Sequence, residues 1–149
     1  MALVSPASGE QLLILFGNAA TPEVFSASCT INTTRSVDLT ATASTTELAD
    51  CVTPSNPATV VRQIKSVDLK FTGAGIADAP SILALIEWNR SGAVKDVQVI
   101  QNLTGAQGGW TAVGQMVFTS MNLAGARGDK QTFTGTFEQA NAFTFTANP

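Results

Sequence analysis

From Lys65 to Thr72 the chain alternates, with Val67, Leu69 and Phe71 on one side and Ser66, Asp68, Lys70 and Thr72 on the other. That period of two is the signature of a strand with one buried face. Gly73 and Gly75 are expected to end it. Asp78 then reads as the N-cap of a helix, its carboxylate within reach of the Ser81 amide, with Pro80 tolerated in the first turn. Ile82, Leu85 and Ile86 supply an apolar stripe and Gly92 a C-terminal cap, so the pattern predicts one helix over 78–91.

The rest of the chain predicts strands. Gln11 to Phe16 is a first strand. Glu23 to Ile31 follows, with Phe25, Ala27, Cys29 and Ile31 on one face. Arg35 to Thr40 places Val37 and Leu39 inward against Ser36, Asp38 and Thr40. Ala41 to Ala58 then loses all periodicity in a run of Thr, Ser, Ala and Pro, and is expected to be a long segment without regular structure, either a floppy surface loop or an arm that becomes ordered against a neighbouring subunit. After the helix come Lys95 to Gln101, with Val97 and Val99 on one face, and Trp110 to Leu123, with a bend expected near Gly114. A turn through Gly125, Arg127, Gly128 and Asp129 leads to Gln131 to Phe137, where Phe133, Gly135 and Phe137 alternate with Thr132, Thr134 and Thr136. Phe143 and Phe145 continue the theme. The sum is a mainly β fold: a β-sandwich or barrel of about eight strands, one flanking α-helix and a long extended arm.

Composition changes this picture in one respect. Hydrophobic residues make up 44% of the 149, but charged ones only 13%, against roughly 25% in ordinary soluble domains. Such sparse charge is expected of a surface covered by copies of the same chain. The net charge of −3, with the eight Lys and Arg scattered, disfavours a nucleic-acid clasp. No stretch reaches the length needed to cross a membrane as a helix.

Catalytic chemistry finds little to build on. The chain has no histidine, the usual base in acyl transfer and proton transfer. Cys29 and Cys51 have neither an activating base nearby in sequence nor metal-ligand spacing; a bridge between them and two idle thiols both remain open. The eleven acids are dispersed, and Asp38, Asp68, Asp96 and Glu138 read as the polar faces of their strands. Gly73-Ala74-Gly75-Ile76-Ala77-Asp78 sits where a dinucleotide fingerprint would place its phosphate loop, but its third glycine position is an aspartate and no second strand–helix unit follows. No enzyme activity, cofactor or metal is expected. Trp88 and Trp110 are candidate interface anchors, with plain packing the competing reading.

The order of these elements resembles the short tail tube proteins of tailed bacteriophages and the related gene transfer agents over nearly the whole chain. The matching features are the Gln11 to Phe16 strand, Arg35-Ser36-Val37-Asp38-Leu39-Thr40 leading into a long arm, the Ile64 to Gly75 strand before a single helix, and the hairpin Met116 to Phe137 with Gly128-Asp129 in its turn, followed by Phe143 to Thr146. Gln139-Ala140-Asn141-Ala142 departs from the family, which often carries a glycine there. The resemblance implies a single tail-tube-like domain over 1–149, with an N-terminal arm at 1–9, an arm between rings at 41–61 and the helix at 78–91. It further implies six copies in a ring, stacked rings, and inner sheets joined edge to edge into a barrel through which DNA passes transiently, without sequence-specific binding. Partners would be further copies of the chain, the tape measure, the tail terminator and the baseplate or distal tail proteins, in a virion tail made in the cytoplasm of a bacterial host.

On this reading the lumen wall is expected to include Ser36, Asp38, Thr40, Ser66, Asp68, Thr132, Thr134, Thr136 and Glu138, with Lys70 on the same face against a uniformly negative wall. The contacts between rings are expected from Thr45, Glu47, Asp50, Cys51, Val52, Val60 and Val61. Two other classes stay open: another β-sandwich virion protein, for decoration or tail completion, and a fimbrial-type adhesin.

Overall fold

The computed structural model describes residues 3–149, so Met1 and Ala2 of the expected N-terminal arm lie outside the described residues. A short 3-10 turn, Gly9–Gln11, precedes the first strand. Eight strands follow: β1 (Leu12–Gly17), β2 (Phe25–Ala27), β3 (Thr34–Leu48), β4 (Thr59–Ile76), β5 (Lys95–Gln101), β6 (Trp110–Ala124), β7 (Thr132–Gln139) and β8 (Thr144–Ala147). One helix, α1 (Ala79–Ser91), lies between β4 and β5. All strands belong to one antiparallel sheet in the order β2-β1-β5-β6-β7-β4-β3, with β8 beside the first half of β6.

This sheet folds over on itself. The rings of Phe16 on β1 and Phe137 on β7 lie 5.3 Å apart, yet β5 and β6 stand between those strands. At ~4.8 Å per strand a flat sheet would separate β1 and β7 by about 14 Å. The two halves therefore face each other across the core. Arg35 on β3 tethers them at the far side, donating to Leu12 O at 3.2 Å and to Ile31 O at 3.4 Å.

Burial follows the alternation. Phe71, Phe137, Val97, Val99, Ala112 and Met116 are sealed from solvent, and each lies on the inward face of its strand. Helix α1 closes the open side with Leu85 and Trp88. The Trp88 ring meets Phe16, Phe118 and Phe137 at centroid distances of 5.3, 5.6 and 5.2 Å, while its Nε1–H donates to Ala93 O at 2.8 Å. The helical stripe is thus Ile82, Leu85 and Trp88, with Ile86 half-buried at its flank. Asn89 Nδ2 donates to Phe118 O at 2.9 Å, tying the helix to β6 where that strand parts from β5.

Several expectations are corrected. Strand β4 does not stop at its glycines but runs through both to Ile76. A Cβ on Gly73 would lie 2.7 Å from the Ile31 side chain, and one on Gly75 would lie 2.4 Å from Thr30 O. These glycines let residues 30–32 cross close over the sheet, a use of glycine that sequence alternation cannot distinguish from a stop. The strand expected over Glu23 to Ile31 shrinks to Phe25–Ala27, because Glu23 and Val24 bond back to Asn18 and Ala19 in the preceding turn while Thr30 and Ile31 belong to this crossing. Thr30, fully buried, exchanges a hydrogen bond with Ser81 at 2.8 Å, and Asn32 borrows the ladder positions of Ile76 through Oδ1 and Nδ2.

Asp78 is the N-cap by position, but its carboxylate accepts from the Ser81 hydroxyl at 2.8 Å rather than from the amide, which goes to Asp78 O. The disruption in β6 is a bulge between Phe118 and Ser120, whereas Gly114 makes room for the Phe143 ring. The turn without a glycine is held by Gln115 O, which accepts from the Ala140 and Asn141 amides, and needs no left-handed residue.

The arm is the largest correction. Far from lacking regular structure, β3 and β4 continue as a two-stranded ribbon until Leu48 faces Thr59, with a bulge between Thr42 and Ala43. Only residues 49–58 close the tip. Its threonines favour an extended backbone, but with no core beneath the ribbon there is no buried face to impose alternation.

Candidate assembly surfaces

Because paired residues in neighbouring strands share a face, the register gathers the expected lumen residues onto one surface. Asp38, Lys70 and Glu138 form a row across β3, β4 and β7. Ser36, Thr72 and Thr136 form the next, with Ser120 of β6 beyond. Thr40 faces Asp68, Thr42 faces Ser66, and Thr134 and Thr132 continue the surface beside Ala74 and Ile76. All lie opposite the core face that carries Leu69, Phe71, Phe133 and Phe137. Lys70 sits between two carboxylates, a favourable cross-strand placement that leaves the row with one net negative charge.

This surface belongs to a four-stranded section, β3-β4-β7-β6, whose two borders are open among the described residues. The outer edge of β3 has no strand partner along Thr34–Leu48. At the other side β6 leaves β5 at Met116, and beyond it the strand pairs with β7 alone. Open ladders of N–H and C=O groups are templates for another chain.

The ribbon presents a second surface. Leu39 and Val67 share the core face of β3 and β4, as does Ile64 past the bulge, but the core ends at Leu69. They are 58%, 60% and 57% exposed. The alternation that the sequence shows at Leu39 and Val67 is real and Ile64 continues it past the bulge, but among the described residues nothing covers these side chains. Thr45 faces Arg62, and Glu47 and Val61 face Val60 and Thr46 along the shaft. Asp50, Cys51 and Val52 lie in the tip, where Val52 is 91% exposed.

Of the two tryptophans, Trp88 is 3% exposed within its own subunit, which removes it as an interface anchor. Trp110 is half-buried, 5.7 Å from the Phe145 ring at the β8 edge. Cys29 and Cys51 are free, exposed thiols. Among the described residues no three His, Cys, Asp or Glu side chains are placed to hold a metal ion, and no helix is long and apolar enough to cross a membrane.

A sheet section with two open borders, a polar face of threonines and carboxylates, and a projecting ribbon with a bare apolar underside define a structural subunit built to associate. The family model for phage tail tube proteins matches residues 6–145, and the chain belongs to that family: it is a structural tail tube protein. No curated protein matches its sequence significantly. Solved structures share the fold. A chain from the tail of an empty gene transfer agent particle, refined with C6 symmetry, has 20% identity over 95% of this chain and 100% of its own, with a TM-score of 0.66. A chain of the SPP1 tail tube has 12% identity over 96% and 80%, with a TM-score of 0.62. A chain of the sheath–tube complex of an extracellular contractile injection system has 15% identity over 95% and 92%, with a TM-score of 0.60.

Proposed function

We propose that six copies form a ring by pairing the free edge of β6 in one subunit with the outer edge of β3 in the next, and that stacked rings form the conduit for DNA in a virion tail. The observation that carries this is the strand count between the open borders. Four is even, so β3 and β6 run antiparallel to each other. A copy generated by rotation therefore continues the antiparallel ladder without a parallel seam, and a head-to-tail contact of this kind closes when the rotation permits. Six copies, the symmetry of the gene transfer agent tail, contribute four strands each, so 6 × 4 gives a barrel of 24. At ~4.8 Å per strand its wall is about 37 Å across before tilt widens it.

The lumen wall is the Ser36, Asp38, Thr40, Ser66, Asp68, Lys70, Thr132, Thr134, Thr136 and Glu138 face. Three acids and one lysine leave it two negative charges per subunit, so phosphate is repelled rather than gripped. The wall performs no catalysis. The ribbon contacts the adjacent ring through its exposed apolar side and its tip. The tube would meet a tape measure within and terminator and baseplate proteins at its ends.

Electron microscopy of the purified protein at high concentration tests this. Tubes are expected from the full chain, and folded subunits that do not polymerise from a deletion of Thr45 to Pro57. Filaments of normal length from that deletion would refute the role of the ribbon, and density placing Asp38, Asp68 and Glu138 on the outside of the tube would refute the lumen assignment.

A further inference from the structure

Residues 49–58 close the ribbon, and one side chain organises them. Asp50 Oδ1 accepts the Val52 amide at 2.9 Å and the Thr53 amide at 3.0 Å, while Oδ2 accepts from Asn56 Nδ2 at 3.0 Å. The Asn56 amide in turn donates to Thr53 O at 3.0 Å. These bonds, the Thr53 amide first, then Val52 and Asn56, hold the carboxyl below its ordinary value of 3.8. No charged side chain takes part. The charged groups nearest in register, Glu47 and Arg62, belong to the shaft and make no hydrogen bond to Asp50 among the described residues. At the apex of this knot Val52 stands bare to solvent.

Order of this kind is ordinary turn chemistry and steadies the hairpin that it closes. A loop that must dock gains directly, because a contact formed from a pre-ordered segment does not lose that segment's conformational entropy on binding. We propose that Asp50 is a positioning residue that pre-folds the ribbon tip, so that Val52 is presented ready-made to a neighbouring copy, and that tube assembly is acid-sensitive through this carboxylate. The proposal rests on the reading of the ribbon as a contact between rings.

The sign of the acid dependence follows from the lowered carboxyl. Its contribution is complete above 3.8 and is lost as pH falls through the depressed value. An asparagine at this position keeps an oxygen for the two amides but presents its own N–H groups to Asn56 and does not titrate.

The test compares wild type, D50A, D50N and the Thr45 to Pro57 deletion by the critical concentration for tube formation, from about pH 7 to about pH 2. At neutral pH D50A is expected to raise it by roughly three- to thirtyfold, the loss typical of a side-chain cap, and D50N by about threefold. The gap between wild type and D50N should close as acid protonates Asp50, while the gap between D50N and D50A persists. Faster exchange of the Val52 and Thr53 amides in the free D50A subunit, with near-ultraviolet dichroism unchanged, would place the effect in the tip. Assembly of D50A at the wild-type concentration, beside a deletion that does not assemble, would overturn this inference alone. A deletion that assembles normally would overturn the inter-ring reading and this inference with it. Loss of the near-ultraviolet signal in D50A would also overturn the inference, by moving the effect to the whole fold.

Discussion

The most direct consequence of the ribbon geometry concerns Ile64 and Val67. Both lie on the core face of β4, yet 57% and 60% of their surface is open in the isolated subunit. Fully burying such a side chain contributes about 1.5–3 kcal/mol, so covering the exposed fraction of both against a neighbour should contribute about 2–3 kcal/mol per copy. Replacing both with threonine, I64T/V67T, keeps the β-branched shape that suits an extended ribbon and removes most of that gain. The subunit itself should barely notice, because exposed positions usually shift stability by less than about 0.5 kcal/mol. The critical concentration for tube formation should rise by roughly 30- to 150-fold at ~1.4 kcal/mol per decade. Light scattering over a dilution series gives that concentration, and urea unfolding of the unassembled subunit gives the control. If the double variant polymerises at the wild-type concentration, the apolar underside is not an interface. If instead its unfolding midpoint collapses, these side chains support the subunit and the reasoning fails for a different cause.

Two further substitutions test the core. Gly75→Ala puts a Cβ 2.4 Å from Thr30 O and 2.7 Å from the Asn32 amide; backbone must move, and a loss of about 1–3 kcal/mol is expected in urea unfolding, whereas an unchanged midpoint would show that the crossing segment is not held as described. Phe137→Ala removes a fully buried ring stacked on Phe118 at 4.3 Å, and calorimetry should show the subunit destabilised by about 3–5 kcal/mol; a loss under about 1 kcal/mol would contradict its place at the centre of the core.

How much of this was readable beforehand depended on whether a residue's partner lay in the same subunit and close in sequence. The alternation of β4 and β7 and the helix between Asp78 and Gly92 were legible because local pattern and final environment agree. The two glycines misled because their real neighbours, Thr30 to Asn32, are some 44 residues away. Trp88 stood outside the short apolar stripe that the sequence suggested, and only the folded sheet, bringing Phe16 beside Phe137, reveals a pocket for its ring. The ribbon was invisible as a strand because a run of Thr, Ser and Ala with no core beneath it has no reason to alternate. Leu39 and Val67 show the converse: alternation reports which way a side chain faces, not whether its own subunit covers it. The residues proposed for the lumen, in contrast, were legible as the polar faces of their separate strands, and the register joins those faces into one surface.

An even number of strands lets the proposed ring close by rotation alone. Rotation without inversion leaves every ribbon pointing the same way along the axis, so the proposed cylinder is a vector: one terminus bristles with unengaged tips, the other offers bare receiving surfaces. No single plug can fit both, and growth from the two termini has no reason to proceed at the same rate.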